Sequence, residues 1–298
     1  MDSSQPPGRE TIALTYDGMD RPYLLQVPPA TAVAAAAGVA AARDRVPLVL
    51  QLHGRGIDAV RFDRLTGFGA LAGEQGFALA MPSAVGEIWN DGRDAAPEGM
   101  RPDDVGYLAV VIDDATTRLA IDSRRIYIVG MSNGAAMAAR LVCEHADRIA
   151  AFAQVAGTVG ASVAATCRPA RPVPILSVHG TADNAAPYEG GVRRGLLTRA
   201  MLRHAAGPSV GVDEWARFWV EANGALDGPV VSELPPDITI RTWRGPSPSS
   251  DVVFYRIEGT GHTWPGSRFA LPALLFGRTS RTFDAARVIW EFLAAHAG

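Results

Sequence analysis

The sequence predicts one α/β domain built on a mostly parallel, doubly wound sheet with helices on both faces. Near-continuous apolar runs indicate strands that are buried on both sides, and helix-like stretches alternate with them along the chain. The Gly-, Pro- and Ser-rich segments 205–211 and 245–250 are flanked by apolar periodic segments, as is typical of surface loops. Residues 1–298 are therefore expected to form a single domain.

The predicted elements follow in chain order. Residues 11–16 and 21–27 are short strand-like runs joined by Asp17-Gly18, a dipeptide typical of a tight hairpin turn. Five apolar runs predict the strands of the parallel sheet: 46–52, 77–81, 125–129, 173–178 and 252–257. Apolar residues at helical spacing predict helices at 62–75, 107–119, 134–145, 212–222 and 283–296.

Composition and charge exclude several classes of protein. Hydrophobic residues make up 48% of the chain and charged residues 20%, which allows a large core. The formal net charge is −3 and the basic residues are scattered, so nucleic acid is not an expected partner. The longest apolar run, 32–42, is shorter than a membrane-spanning helix, and no membrane span is expected. Residues 1–10 are polar, and no secretion signal is predicted there.

The two cysteines, Cys143 and Cys167, lie 24 residues apart and lack the spacing of metal ligands. Two interpretations stay open at this point. They are either two small buried hydrophobic side chains or one disulfide.

The segment Gly130-Met131-Ser132-Asn133-Gly134 carries the strongest chemical signal. It follows a predicted buried strand and opens a predicted helix, a context that forces a serine into a tight turn. The two glycines keep side chains away from the crowded backbone, and the helix N-terminus directs N–H groups at the turn. The pattern predicts that Ser132 is a nucleophile.

A nucleophilic serine needs a base within hydrogen-bond reach and an acid that orients this base. On folds with such a turn, the chain order is serine, acid, histidine. Four of the six histidines are set aside because they precede the serine, lie late on the next helix, or fall in surface-like or terminal segments: His53, His145, His204 and His296.

Two histidines remain, and both follow predicted strands. His262 lies in a glycine-flanked loop after the last predicted strand, whereas His179 ends an earlier strand four residues before Asp183. Ligands of open α/β sheets bind beyond the carboxyl ends of the strands, where Asp183 and His262 are both expected. We therefore predict Asp183 as the acid and His262 as the base, with His179 as the competing base.

An oxyanion hole on this kind of fold combines two backbone donors from different loops. The first is the N–H of the residue after the serine, here Asn133. The second is predicted to be the N–H of Arg55, in the loop His53-Gly54-Arg55-Gly56, where His53 itself is predicted to be structural. Three aromatic residues lie in loops near predicted strand ends and either line a substrate pocket or pack in the core: Trp89, Tyr188 and Trp264.

Seven segments of the sequence together form a recognisable pattern. They are Leu52-His53-Gly54, Trp89-Asn90-Asp91-Gly92-Arg93, Asp103-Asp104-Val105-Gly106, Gly130-Met131-Ser132-Asn133-Gly134, His179-Gly180-Thr181-Ala182-Asp183, Pro187-Tyr188-Glu189-Gly190-Gly191 and Gly261-His262-Thr263-Trp264-Pro265-Gly266. With these segments in this order, the sequence resembles the polyhydroxybutyrate depolymerase and feruloyl esterase family of α/β-hydrolases. The resemblance runs from about residue 11 to residue 296, and the family's catalytic serine, aspartate and histidine correspond to Ser132, Asp183 and His262.

The resemblance implies an α/β-hydrolase fold and a serine carboxylic-ester hydrolase that needs no metal or organic cofactor. The implied substrates are polyhydroxyalkanoate-type polyester or its oligomers, or feruloyl, acetyl and aryl esters. Two departures from the family pattern bear on this. Many members have a cysteine where this chain has Arg55, and polymer-degrading members often carry linker and substrate-binding domains that are not in this sequence.

Other functions and locations stay open. An acyltransferase or a serine peptidase would use the same residues on the same fold, and a binding domain that has lost catalysis would keep the fold alone. Secreted members of the family carry a signal peptide; the resemblance implies an extracellular protein, whereas the sequence as given also fits a cytoplasmic one. The sequence makes no prediction of the oligomeric state.

Overall fold

The computed structural model describes residues 8–29, 45–93, 101–192, 207–269 and 272–298. Its main feature is a ten-stranded sheet in the order β1-β4-β6-β5-β7-β8-β9-β12-β11-β10, and a separate hairpin pairs β2 with β3. The strands are β1 (Arg9–Ile12), β2 (Thr15–Tyr16), β3 (Met19–Asp20), β4 (Tyr23–Gln26), β5 (Val46–Leu52), β6 (Ala78–Pro82), β7 (Ile121–Met131), β8 (Ala151–Val155), β9 (Ile175–Gly180), β10 (Asp227–Leu234), β11 (Ile238–Arg244) and β12 (Val252–Ile257).

The central strands of the sheet are parallel. The pairs β6-β5, β5-β7, β7-β8, β8-β9 and β9-β12 are all parallel, and antiparallel strands extend the sheet at both ends. The five apolar runs of the sequence all fall on central strands, because a strand covered on both faces carries apolar residues without alternation. The predicted mostly parallel α/β sheet is confirmed.

Helices cover both faces of this sheet. They are α1 (Ala59–Thr66), α2 (Phe68–Gln75), α3 (Asp104–Arg118), α4 (Asn133–His145), α5 (Ala161–Thr166), α6 (Val212–Asn223), α7 (Ala273–Phe276) and α8 (Ala285–Ala294). Buried residues of α3, α4 and α6 join one apolar core, and those of α1, α2 and α8 join a second core on the opposite face. The doubly wound arrangement is therefore present, as predicted.

Two local turns show how single residues shape the fold. Asp17 and Gly18 have φ values of 51° and 70°, which is the conformation that a two-residue hairpin turn requires, and Tyr16 pairs with Met19 across it. The helix predicted at 62–75 is instead two helices. Gly67 breaks it at φ 75°, and its N–H donates to the carbonyl of Asp63 at 2.7 Å as a left-handed cap.

Three strands of the ten-stranded sheet were not predicted, nor was the two-residue β3 of the hairpin. β8 is the short, alanine-rich segment between β7 and β9 in the sheet, and β10 and β11 form an antiparallel extension beyond β12. β10 carries Pro229 and is exposed along all eight residues, so neither apolar alternation nor β propensity identifies it. The apolar run 32–42 lies outside the described residues. Within the described ranges, no helix has the length and apolarity needed to cross a bilayer.

Cys143 and Cys167 form a disulfide, with their Cα atoms 5.0 Å apart. Cys143 lies on α4, and Cys167 follows α5. The structure thus selects the disulfide from the two interpretations that the sequence left open. The bond ties the helix that follows Ser132 to the segment that leads into β9.

Candidate active site

Ser132 lies in the turn between β7 and α4. β7 ends at Met131 and α4 begins at Asn133, so one residue makes the change from strand to helix. Its backbone has φ 58° and ψ −117°, and a positive φ is uncommon for a residue with a side chain. The Ser132 N–H donates to the carbonyl of Val155 at 2.9 Å. The predicted strand–turn–helix geometry is present, with the strained turn that exposes a nucleophile in such motifs.

Two glycines leave room for this turn. A Cβ added to Gly157 would lie 2.6 Å from the Ser132 carbonyl oxygen, and one added to Gly54 would lie 3.5 Å from the Ser132 Cβ. Ala156, next to Gly157, has a φ of 50°. The loop after β8 therefore packs directly against the serine. Sequence reasoning missed it because β8 was not predicted, although the apolar run 149–156 ending at a glycine was an available signal.

The structure brings Asp183 and His262 together. They follow β9 and β12, which are neighbouring parallel strands. His262 Nδ1 and Asp183 Oδ2 are 2.8 Å apart, and the two residues are 6% and 4% exposed. The other carboxylate oxygen of Asp183 accepts from the N–H groups of Ala185 and Ala186 at 2.8 and 2.7 Å. The carboxylate is thus held in one orientation, with one oxygen directed at the imidazole.

The groups around Asp183 keep its carboxylate ionised in this buried position. Burial by itself disfavours the carboxylate, but the imidazoles of His262 and His179 and the Ala186 N–H outweigh it and hold the pKa of Asp183 below its ordinary value. An ionised carboxylate only accepts hydrogen bonds, so His262 donates from Nδ1. Nε2 of His262 is then the basic nitrogen.

His179, the competing base, lies near the end of β9 and contacts the loop that holds the acid. It is 1% exposed, and its Nε2 donates to the Ala186 carbonyl at 2.8 Å and lies 3.5 Å from Asp183 Oδ2. Burial lowers the pKa of His179 below 6.5, an effect larger than the opposite one of the Asp183 carboxylate. The neutral imidazole therefore closes the 183–186 turn, while His262 makes the shorter contact with the acid.

The two predicted oxyanion donors lie on separate segments beside Ser132: Asn133 at the turn that opens α4, and Arg55 in the loop after β5. Asn133 is the first residue of α4, where a backbone N–H has no acceptor within the helix. Arg55 lies in the loop between β5 and α1, next to Gly54, where an added Cβ would lie 3.5 Å from the Ser132 Cβ. Burial lowers the pKa of the Arg55 guanidinium; Asp91 opposes this change and Arg93 adds to it. The position of both loops fits the predicted role, which stays a prediction.

The three aromatic residues proposed from sequence are all buried. Trp89 is 0% exposed, Trp264 is 1% exposed and Tyr188 is 5% exposed. Trp264 packs edge-on against the rings of Phe62 and Phe68. The Tyr188 hydroxyl donates to Asp213 at 2.9 Å, and burial first, then this carboxylate, raises its pKa. All three contribute to packing here, and contact with a substrate stays a prediction.

His53 takes the structural role expected of it. Its Nε2 accepts from the Ala84 N–H at 3.0 Å, and its Nδ1 donates to the Gly54 carbonyl at 2.8 Å. Burial lowers its pKa, which keeps the ring neutral. In the described part of the chain, histidine, cysteine, aspartate and glutamate side chains form no group of three or more that could hold a metal ion.

Known proteins with similar sequences are esterases by name. Residues 31–171 match the family described as Esterase PHB depolymerase. The putative esterase NocK of Nocardia uniformis subsp. tsuyamanensis is 32% identical over 93% of this chain and 80% of its own length. Feruloyl esterase B of Piromyces equi is 33% identical over 60% of this chain, but the match spans only 31% of that protein.

A solved structure supports the fold. The acetyl xylan esterase from Aspergillus awamori superposes with a TM-score of 0.57 at 14% sequence identity, and the match covers 86% of this chain and 94% of that one. Together with the sequence matches, this shows that the chain belongs to the PHB depolymerase family of esterases, that its fold is that of the α/β-hydrolases, and that it is a serine esterase.

Proposed function

We propose that the protein hydrolyses carboxylic esters through an acyl-enzyme formed on Ser132, with His262 as the base and Asp183 as its orienting acid. The observation that carries this proposal is the 2.8 Å contact between His262 Nδ1 and the buried Asp183 carboxylate. Ser132, Asp183 and His262 each follow the carboxyl end of a parallel strand of one sheet, and this is the end at which open α/β sheets bind their ligands.

In the first half of the reaction, Ser132 Oγ attacks the ester carbonyl carbon as His262 Nε2 takes its proton. Asp183 stabilises the positive imidazolium. The N–H groups of Asn133 and Arg55 donate to the negative oxygen of the tetrahedral intermediate. The bond from the carbonyl carbon to the alcohol oxygen then breaks, and His262 gives its proton to the leaving alcohol.

The second half releases the acid. Water attacks the acyl carbon as His262 takes one of its protons, and the same donors stabilise the second tetrahedral intermediate. The bond to Ser132 Oγ breaks, and His262 returns the proton to the serine. No other reactant is consumed.

The proposed substrates are feruloyl, acetyl and aryl esters and short hydroxyalkanoate oligomers. The similarity to a feruloyl esterase and to the family described as Esterase PHB depolymerase supports this range. The disulfide between Cys143 and Cys167 supports an extracellular location, since disulfides persist in oxidising compartments.

A substrate panel tests the function. The panel holds p-nitrophenyl acetate, methyl ferulate, acetylated xylan, hydroxybutyrate oligomers and a matched anilide, each measured with and without added alcohol. We expect ester hydrolysis that Ser132→Ala reduces by about 10⁴-fold or more in kcat. Turnover of the anilide instead of the esters would favour a peptidase, and ester products formed only with alcohol would favour an acyltransferase. Full activity in Ser132→Ala would refute the triad.

A further inference from the structure

One short segment, residues 84–91, forms hydrogen bonds with both loops of the proposed oxyanion hole. It makes three hydrogen bonds with the loop that carries Arg55. The Ala84 N–H donates to His53 Nε2 at 3.0 Å, the Trp89 indole Nε1 donates to the His53 carbonyl at 2.9 Å, and the Glu87 carbonyl accepts from the Gly56 N–H at 3.0 Å. The loop that carries one predicted donor is thus fixed on both of its sides.

The same segment is bonded to the residue that carries the other donor. The Trp89 N–H donates to Asn133 Oδ1 at 2.7 Å, and Asn133 Nδ2 donates back to the Trp89 carbonyl at 3.1 Å and to Asp91 Oδ2 at 2.6 Å. The Asn133 side chain is therefore used for holding this segment, which leaves its backbone N–H for the substrate. Trp89 is the residue that bonds to both loops.

The segment has its own buried anchor. The Asn90 N–H donates to Asp104 at 2.6 Å, and Arg21 pairs with the same carboxylate at 2.6 Å, with both charged side chains 1% exposed or less. Arg140 donates to the Asn90 carbonyl at 2.7 Å. Asp104 lies on α3 and Arg140 on α4, so a shift of the segment would break hydrogen bonds to two helices, and Arg21 holds the Asp104 carboxylate in place.

We propose that Trp89 is a positioning residue that sets the separation of the two oxyanion donors. The proposal rests on the function proposed above. Trp89 is 0% exposed and its ring packs on His53, with centroids 5.1 Å apart, so it acts on a substrate only through the loops it bonds. An oxyanion hole works only if both donors lie about 2.7–3.1 Å from the developing charge, and a displacement of about 1 Å costs on the order of 10²-fold in rate.

The test variant is Trp89→Phe, which keeps an aromatic ring and the backbone hydrogen bonds but removes the indole N–H that donates to His53. Trp219→Phe is the matched control. Trp219 is also 0% exposed, and among the described residues its indole N–H has no acceptor. Active sites are titrated with a fluorophosphonate, so that kcat is expressed per reactive serine.

We expect Trp89→Phe to lower kcat per titrated site by about 10- to 100-fold with KM within twofold of wild type. Its affinity for an aryl boronic acid, which forms a tetrahedral adduct on the serine, is expected to fall by the same factor as kcat. Trp219→Phe should change neither quantity. A purely structural role for Trp89 would lower the melting temperature and the titratable fraction but leave kcat per site unchanged, and that result overturns the proposal.

A second variant covers the case in which Trp89→Phe does not fold. Asn133→Ala keeps the backbone N–H but loses the side-chain bonds to Trp89 and Asp91, and it should show the same fall in kcat and in boronic acid affinity. Unchanged constants in this variant overturn the proposal as well. A fully active Ser132→Ala enzyme would instead refute the proposed function, so the two failures are distinguishable.

Discussion

Removal of the disulfide is expected to destabilise the protein without removing its activity. Cys143 and Cys167 close a loop of 24 residues. In the chain-entropy model, a loop of this length restricts the unfolded chain by about 11.6 cal/mol/K, which corresponds to about 3.4 kcal/mol at 25 °C. We therefore expect the double variant Cys143→Ser/Cys167→Ser to lose about 3 kcal/mol in free energy of unfolding, a large part of the stability of an ordinary domain.

Urea denaturation followed by tryptophan fluorescence measures this loss. Wild type and double variant are compared with and without a reductant, and thiol titration of the denatured, unreduced wild type should find no free thiol. Reductant should lower the midpoint of the wild type to that of the variant and leave the variant unchanged. Cys143 lies near the C-terminal end of α4, whereas Ser132 precedes its N-terminal end. Below the urea concentrations that unfold the protein, ester turnover by the variant should therefore stay within about twofold of wild type. Equal unfolding free energies for oxidised and reduced wild type would refute the entropic argument.

Three further predictions concern the site. His262→Ala should lower kcat by at least about 10³-fold, whereas His179→Ala should lower it less. A wild-type kcat for His262→Ala would contradict its assignment as the base. Gly157→Ala should cost about 1–3 kcal/mol in thermal unfolding because its Cβ would press on the serine backbone. Gly73→Ala, at a helix position where the added Cβ meets no neighbour, should instead stabilise the protein by about 0.5–1 kcal/mol. Equal changes in unfolding free energy for the two variants would contradict the steric argument. Burial lowers the pKa of His53 and His179 below 6.5, so below that pH the unfolded chain binds more protons. As the pH falls below 6.5, the free energy of unfolding should therefore decrease by up to about 1.4 kcal/mol per pH unit for each histidine. Replacing His179 by glutamine should reduce this slope, and an unchanged slope would exclude its contribution.

Periodicity and turn chemistry predicted most of the architecture from sequence. The run on β5 matches a strand that is buried from Pro47 to Leu52, the run on β12 matches its strand although Tyr255 and Arg256 are only partly buried, and Asp17-Gly18 forms the expected turn. The break at Gly67 was missed, since a helical apolar stripe continues across it and only the left-handed glycine separates the two helices.

The candidate site was predictable as far as it depends on chain order and strand ends. The contact between Asp183 and His262 follows from such reasoning, and it is present. The role of the 84–91 segment was not predictable in the same way. Its hydrogen bonds to His53 and Asn133 join residues 31 to 44 positions apart, and Trp89 carries no periodic signal that distinguishes an indole with these bonds from one that only packs.

The open edge of the sheet has a consequence for solubility. In the described part of the chain, strand β10 has no neighbouring strand on its outer side, and Val230 and Val231 are 65% and 56% exposed. Such an edge can recruit a strand from another molecule and begin aggregation. Pro229, which lacks an N–H, and the charged Asp227 and Glu233 oppose that pairing. These three residues therefore oppose edge-to-edge association. Replacing them by β-branched apolar residues would allow strands of other molecules to pair with β10 and form fibrous assemblies.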